Sequence, residues 1–242
     1  MEEPKITPLA RRLAEAGLKG LVFAGARKSA ELIARYAAHP LVRPYRAGYT
    51  ARERRRLEAD LKEGRVRVLV STSALELGVD IGELDAVVLV GYPGSTAAFW
   101  QRAGRAGRGE RRALLVYIPR EDPMDEYFLH RPALLLESPP EEAVADPQNP
   151  VLCPLHLHAA AREKPLLAEE LLCPEARATL KERNGRFFTP KRNPHREITL
   201  RGLGATFTLR GPDGEVLGYL DERQAYWEAH PGAIYLHQGE SY

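Results

Sequence analysis

Three arginines recur at three-residue spacing in the segment QRAGRAGR, which runs from Gln101 to Arg108. Gly104 and Gly107 stand beside them and leave room for a ligand to approach the backbone. On a helix, Gln101, Arg105 and Arg108 would share one face, at positions i, i+4 and i+7. Arginine is permanently charged, and its planar fork suits a phosphoryl group whose charge grows during transfer. A solvated arginine face or an RNA-binding Arg/Gly tract explains the segment alone equally well.

A second polar segment, STSALELGVDIG, directly follows a predicted buried strand. Ser71 and Thr72 can donate hydrogen bonds to a phosphate, and Gly78 permits close approach of a ligand. Asp80 can accept a hydrogen bond from a ribose hydroxyl. In open α/β sheets, ligands bind at the carboxyl ends of the strands, where this segment would lie. Taken alone, a loop in which Thr72 caps a helix and Asp80 starts a turn would explain the same residues.

Short apolar runs alternate with helical patterns up to about residue 120. The predicted strands are GLVFA, LVRPYRAG, RVRVLVST, DAVVLVGYP and RRALLVYIP. Continuous apolar strands separated by helices indicate a parallel sheet that is covered on both faces. The sequence therefore predicts a doubly wound α/β domain over residues 1–120.

Beyond residue 120 the pattern changes. Residues 121–148 are rich in proline and acidic side chains and predict a connector. Residues 149–242 contain helical patterns up to about residue 185, and then the short strand candidates EITLRG, ATFTLRG and EVLGYL with GPDG as a turn signal. These features predict a smaller helical and β accessory region of winged-helix-like type. We expect it to be truncated, because its last apolar pattern has no closing element.

The charge of the chain is unevenly distributed. Its net charge is +2, but residues 1–120 carry 22 Lys and Arg against 13 Asp and Glu, whereas residues 121–242 carry 13 against 20. The excess of positive charge in the first part favours a polyanionic partner there. No apolar run approaches the roughly 18 residues of a membrane span, and no signal-peptide core follows Met1. We therefore expect a cytoplasmic protein that does not bind a membrane.

In their order and spacing, the two polar segments resemble motifs V and VI of superfamily 2 helicases. LVFAGARKSAELIARY resembles motif IV, and YRAGYTARERRRLEADLKEGRVRVLVST resembles the stretch that leads to motif V. The resemblance covers residues 21–119, and LELGVDIGELDAVVLVGYPGSTAAFWQRAGRAGR is most similar to the YprA-like helicases, a group that includes bacterial mitomycin-damage repair helicases. PEEAVADPQNPVLCPLHLHAAAREKPL and HPGAIYLHQGESY resemble segments that follow the motor in that group.

This resemblance implies a RecA-like fold and the second motor domain of an ATP-dependent enzyme. Such motors bind ATP between two RecA-like domains, and the first supplies the phosphate loop and an acidic box. The sequence contains no G-x-x-x-x-G-K-[ST] motif and no DEAD- or DEAH-like box. The resemblance thus implies the C-terminal motor domain and accessory region, cut from a longer protein, of a 3′–5′ DNA helicase or translocase in DNA repair. Alone, the chain is expected to be inactive as an ATPase.

The resemblance also implies ligands and residue roles. ATP is the expected nucleotide, with Mg held mainly by the first RecA-like domain, and single-stranded DNA or a partial duplex is the expected partner. Arg105 and Arg108 match arginine fingers for the γ-phosphate, and Gln101 matches a residue beside the phosphates. Gly78 and Asp80 match positions on the ribose side of ATP. The positions that grip the phosphates of the tracking strand are matched by Arg27, Arg46, Gly48 and Thr72.

Several alternatives stay open. The chain could be a nucleic-acid-binding module without motor activity, or a RecA-like regulatory or interaction domain. Arg102 could be a salt-bridge partner or a nucleic-acid contact. The segment CPLHLH with Cys173 has no standard zinc-ligand spacing, so no metal site is predicted. Tyr226, Trp227 and Tyr235 could stack on bases, although aromatic residues in short strands more often belong to a core.

Overall fold

We describe a computed structural model of the chain, which places residues 3–76, 79–107, 112–142, 144–198 and 205–242. Contacts divide the chain into two compact units. The first contains Met1–Glu141 together with Ala205–Tyr242, and the second is Glu142–Gly204. These units differ from the predicted boundaries (1–120, 121–148 and 149–242), because the last part of the chain packs with the α/β domain.

Within the described residues, the first unit is built on a five-stranded parallel sheet. The strands are β1 (Gly20–Phe23), β2 (Val42–Tyr45), β3 (Val68–Ser71), β4 (Ala86–Val90) and β5 (Leu114–Ile118). Their spatial order is β2-β3-β1-β4-β5, and every neighbouring pair is parallel. All residues of β1, β3 and β4 are buried, as strands covered on both faces require. Each strand falls within a predicted apolar run.

Helices cover both faces of this sheet. Helices α1 (Glu3–Glu15) and α2 (Arg27–Ala37) pack on one face, and α3 (Ala51–Glu63) and α4 (Thr96–Ala103) pack on the other. Two further helices, α5 (Pro123–His130) and α6 (Pro132–Glu137), extend the core on the side of α3 and α4. Successive residues of β1 point to opposite faces, so that Val22 and its neighbours join different apolar clusters. The predicted doubly wound α/β domain is confirmed.

Capping interactions stabilise both ends of α3. Thr50 caps its start: the Thr50 Oγ1 accepts from the Glu53 N–H at 3.3 Å, and the Glu53 carboxylate accepts from the Thr50 N–H at 2.8 Å. This reciprocal pair satisfies two N–H groups that the helix itself cannot bond. Gly64 ends the helix with a φ of 81°, a conformation that glycine adopts without steric cost.

The second unit contains α7 (Leu152–Glu163), α8 (Pro174–Thr179) and a hairpin of β6 (Lys181–Arg183) and β7 (Arg186–Phe188). The predicted helical pattern up to about residue 185 is wrong for its last residues. Asn184 and Gly185 both have positive φ, 52° and 70°, which is the geometry of a two-residue hairpin turn. Small helices and strands thus follow the sheet domain, as predicted.

Residues 205–242, here called the C-terminal segment, return to the first unit. They form the antiparallel hairpin β8 (Thr206–Arg210) and β9 (Val216–Asp221), helix α9 (Glu222–Glu228), and the short strands β10 (Leu236–His237) and β11 (Glu240–Ser241). The predicted turn GPDG joins β8 to β9. The strand candidate EITLRG lies partly outside the described residues. Among those described, no helix combines the length and the apolar character needed to cross a membrane.

Candidate functional site

The arginine segment leaves its helix before the second arginine. Helix α4 begins after Ser95, whose side chain accepts from the Ala98 N–H, and it ends at Ala103. The Arg105 N–H then donates to the Arg102 carbonyl, three residues back, at 3.1 Å, and Gly107 has a φ of 72°. A bond to the third residue back tightens the chain relative to an α-helix. The interpretation of the whole segment as one helical face is therefore wrong beyond Ala103.

Arg102 pairs with an acidic residue of motif V. Its Nε and Nη2 both lie 2.8 Å from Oε2 of Glu76. The guanidinium also lies 5.3 Å from the ring centroid of Phe23, at the end of β1. The sequence left open whether Arg102 forms a salt bridge or contacts nucleic acid, and in the structure it forms a salt bridge.

Arg105 binds the backbone of the loop that follows β3. Its Nε donates to the Glu76 carbonyl and its Nη1 to the Val79 carbonyl, each at 3.0 Å, and Nη2 also donates to the Glu76 carbonyl. Residues 77–78 lie between these two carbonyls and outside the described residues. In this conformation, the predicted arginine finger holds both sides of the motif V loop together.

The other residues predicted to contact the nucleotide differ in their exposure and in their contacts. Gln101 is exposed on α4. Arg108 and Gly78 lie outside the described residues. Asp80 is largely exposed, and its carboxylate lies 2.9 Å from the Lys62 Nζ and accepts from the Gly82 N–H at 3.1 Å. Asp80 is therefore part of the loop after β3, at the carboxyl edge of the sheet. Arg105 binds the backbone of the same loop.

Arg46 does not face solvent, in contrast to the prediction that it grips nucleic acid. It is 2% exposed, and its Nη2 donates to the carbonyl of Leu236 in β10 at 2.7 Å. Its Nε lies 3.3 Å from Oε1 of Glu31, and the ring centroid of Tyr235 lies 4.6 Å from the guanidinium carbon. The C-terminal segment covers Arg46 and uses its donors, so a ligand does not reach it in this conformation.

Gly48 is also covered by the C-terminal segment. Its carbonyl accepts from the Tyr219 N–H of β9 at 2.9 Å. A Cβ at Gly48 would lie 3.1 Å from the Tyr219 carbonyl oxygen, so the glycine permits a close approach by β9. The family resemblance instead implied that Gly48 contacts the phosphates of the tracking strand.

The remaining predicted strand contacts keep some access to solvent. Thr72 is partly exposed and precedes a short 3₁₀ turn, Ser73–Leu75, which its side chain does not cap. Arg27 is the first residue of α2, and its Nη1 lies 3.7 Å from Oε2 of Glu228 in the C-terminal segment. Arg27 also lines a cavity of about 350 Å³ between the start of α2 and the C-terminal segment.

Two glutamates that sequence reasoning did not single out hold the C-terminal segment in place. Glu31 is 1% exposed, and it accepts from the Gly239 N–H at 3.3 Å and from the Tyr49 hydroxyl at 2.5 Å. Burial raises the pKa of Tyr49, and the Glu31 carboxylate beside it adds to the rise. Glu53 accepts from Gln238 Nε2 at 2.7 Å and lies 3.0 Å from His237 Nε2. Of these two glutamates, only Glu53 stands in a recognisable sequence pattern, the capping box at the start of α3. That pattern does not predict the contact of Glu53 with the C-terminal segment.

Comparisons with known proteins agree with this geometry. Residues 4–110 match the family described as helicase conserved C-terminal domain. The uncharacterized ATP-dependent helicase YprA of Bacillus subtilis is 32% identical, over 98% of this chain and 35% of its own length. The ATP-dependent helicase hrq1 of Schizosaccharomyces pombe is 31% identical, over 96% of this chain and 24% of its own length. The solved structure of the DUF1998 helicase MrfA bound to DNA and AMPPNP is 32% identical with a TM-score of 0.81, and the match covers 100% of this chain and 37% of that one.

The five-stranded parallel sheet with helices on both faces matches the RecA-like C-terminal domain of helicases. Residues 4–110 match the helicase conserved C-terminal domain family, and the chain is similar to the YprA and hrq1 ATP-dependent helicases. The family resemblance of the motifs is thus confirmed. The chain spans about a third of YprA and about a quarter of hrq1.

Proposed function

We propose that the chain is the C-terminal motor domain and accessory region of an ATP-dependent DNA helicase or translocase, which moves 3′–5′ and acts in DNA repair. The observation that carries the proposal is the attachment of Arg102 and Arg105 to the loop after β3. This attachment places the arginine motif at the carboxyl edge of the sheet, where open α/β sheets bind ligands. The names of the relatives, which are ATP-dependent helicases, support the same function.

The residues present fit one side of a nucleoside triphosphate. The nitrogens of Arg105 meet carbonyl oxygens of Glu76 and Val79, which carry only partial negative charge. A phosphate oxygen carries more charge and would bind the same fork more strongly. Asp80 lies on the same loop, with its side chain 69% exposed, and can accept from a ribose hydroxyl. Gly78 would allow the nucleotide to approach this loop.

Bound ATP supplies the phosphoryl group that is transferred to water. The part of this chain is to place a fixed cation where negative charge accumulates on that group. We assign this role to Arg105 together with Arg108, and we place Gln101 beside the phosphates. A first RecA-like domain with a phosphate loop is the partner that the proposal requires, and it would hold most of the magnesium coordination. Arg105 must exchange its carbonyl partners for phosphate when the two domains close.

The DNA strand would run over the basic part of the chain. Arg27 and Thr72 are the predicted strand contacts that remain partly accessible. Residues 1–120 carry the excess of positive charge, and contacts to phosphate release counterions. Affinity for single strands should therefore fall steeply as salt is added.

The test compares the chain alone with the chain joined to a first RecA-like domain. Alone, it should hydrolyse ATP at background rate, with or without DNA, and bind single-stranded DNA weakly and in a salt-sensitive manner. Joined to a phosphate-loop domain, it should show DNA-stimulated hydrolysis that Arg105→Ala abolishes, and it should unwind duplexes with a 3′ tail in preference to a 5′ tail. Steady turnover by the chain alone would place the catalytic groups elsewhere. Joined turnover that Arg105→Ala leaves intact would favour a binding or regulatory module.

A further inference from the structure

A groove separates the start of α2 from the C-terminal segment. Arg27 and Lys28 line it from α2, and Trp227, Glu228 and Tyr235 line it from the C-terminal segment. Its volume is about 350 Å³. The side formed by α2 is therefore cationic, and the side formed by the C-terminal segment presents the aromatic ring of Trp227 among apolar and polar neighbours.

Trp227 is unusual in its exposure. Its side chain lies on α9 and is 82% exposed, although tryptophan gains more than most residues from burial. Ile234, which is 73% exposed, lines the same groove, and exposed apolar side chains that are grouped in this way mark binding surfaces. Tryptophan offers a flat face to any nucleobase, and such stacking tolerates every base because each has a π-face.

The opposite side of the groove suits phosphate. Ala26 precedes α2 and has no side-chain oxygen with which to cap the helix. The N-terminal end of α2 thus keeps the partial positive charge that attracts anions. Arg27 Nη1 is buried and has no hydrogen-bond partner within the described residues, since Glu228 lies 3.7 Å away. Lys28 is exposed beside it.

We propose that this groove is a single-strand binding site to which the C-terminal segment contributes the base contact. Trp227 stacks on a base, while Arg27 and Lys28 bind the phosphates next to that base. The proposal rests on the proposed function, since it adds a contact to the same DNA strand. The C-terminal segment covers Arg46 and Gly48, and Trp227 replaces the strand contacts that are lost there.

Glu228 is the one acidic side chain among the lining residues named above, and it opposes an anion. Its ion pair with Arg27 is long, at 3.7 Å, and its side chain is 29% exposed. An incoming phosphate would compete with Glu228 for Arg27. Glu228→Gln should therefore bind single strands more tightly than the wild type.

Tryptophan fluorescence isolates the base contact. The chain has two tryptophans, Trp100 and Trp227, so Trp100→Phe leaves Trp227 as the single reporter. We expect oligothymidylate to quench the Trp227 emission in step with the anisotropy of a labelled strand. Trp227→Ala should bind about fivefold to a hundredfold more weakly, which is the usual loss for one stacked base. Trp227→Phe should recover much of that affinity.

Tyr36→Ala is the matched control. Tyr36 is also aromatic and 60% exposed, but it lies in the last turn of α2, whereas the groove lies at the first turn. Its replacement should leave affinity unchanged, and melting curves should show that all variants fold. Wild-type affinity in Trp227→Ala, with no quenching on strand binding, would overturn the site while leaving the proposed function intact. Absence of any strand binding at low salt would overturn both.

Discussion

Oε2 of Glu76 lies 2.8 Å from both Nε and Nη2 of Arg102, so that one ion pair joins motif V to motif VI. The side chains are 15% and 13% exposed, and water screens the pair only partly. Arg105 adds hydrogen bonds to the backbone of the same loop. The loop after β3 and the turn after α4 are therefore coupled, and a shift of one must move the other.

Glu76→Ala should lower the free energy of unfolding by about 1.5–3 kcal/mol, because it leaves a largely buried arginine without its charged partner. Denaturant unfolding measures this loss. Glu15→Ala is the control, since the Arg11–Glu15 pair has a similar distance of 2.7 Å but side chains that are 55% and 47% exposed. That control should lose much less, because solvent screens the exposed pair. Equal losses in the two variants would mean that the Arg102–Glu76 pair contributes no more to the free energy of unfolding than an exposed surface pair does.

Arg46→Ala should act on stability rather than on DNA binding. Removal of the guanidinium leaves Glu31 buried without its ion-pair partner and frees the Leu236 carbonyl. We expect a loss of about 3–5 kcal/mol, as for one partner of a buried pair. DNA affinity, measured at a temperature at which the variant is folded, should stay close to the wild type. A large loss of affinity in a stable variant would restore the role that the sequence predicted for Arg46.

Gly218→Ala should detach the C-terminal segment. A Cβ at Gly218 would lie 2.2 Å from the carbonyl oxygen of Gly48, and a backbone atom cannot move aside as a side chain does. We expect a loss of about 1–3 kcal/mol and faster proteolysis of residues 205–242. Tyr219→Thr, at an adjacent and 47% exposed side chain, should leave the proteolysis rate unchanged. Identical rates for Gly218→Ala and the wild type would show that β9 does not depend on this close packing.

Glu141 predicts a dependence of stability on pH. Its carboxylate accepts from the N–H groups of Ala97 and Thr96 at 3.0 and 2.6 Å, and these bonds lower the pKa of Glu141 from its usual 4.5 to about 2. The folded pKa lies below the unfolded one, so the stabilisation is complete above the unfolded pKa and is lost as pH falls through the folded pKa. Glu141→Gln should therefore be less stable than the wild type at neutral pH.

The difference between Glu141→Gln and the wild type should shrink as the pH falls from about 4.5 towards about 2. Denaturant unfolding of both proteins across this range measures it, and a carboxyl NMR titration locates the pKa directly. A stability difference that does not change with pH would show that the carboxylate charge is not what stabilises the start of α4.

Local signals predicted most of the sheet domain. All five strands lie within predicted strand segments, although β2 includes the exposed Arg43. The hairpin turn at Asn184 and Gly185 also has a sequence signal, which the helical composition before it outweighed.

The C-terminal segment had no such signal, because its position depends on contacts between residues far apart in the chain. The bond from Tyr219 to Gly48 and the pairing of Arg46 with Glu31 leave no periodic pattern. Arg46 therefore resembled a strand contact, although a later part of the chain buries it. For the same reason, no local pattern predicted that Arg102 and Arg105 both bind Glu76.

DNA-stimulated ATP hydrolysis by Arg105→Lys, in the chain joined to a phosphate-loop domain, is the most direct test of the proposed motor function. Lysine keeps the charge but lacks the planar fork, so turnover should fall by about 10³-fold or more while DNA affinity without nucleotide stays at the wild-type value. Melting curves recorded beside it measure how much the loss of the bonds to Glu76 and Val79 destabilises the fold. Wild-type turnover in a variant that melts at a lower temperature would contradict the proposal. Arg105 would then have only a structural role, which is to stabilise the motif V loop.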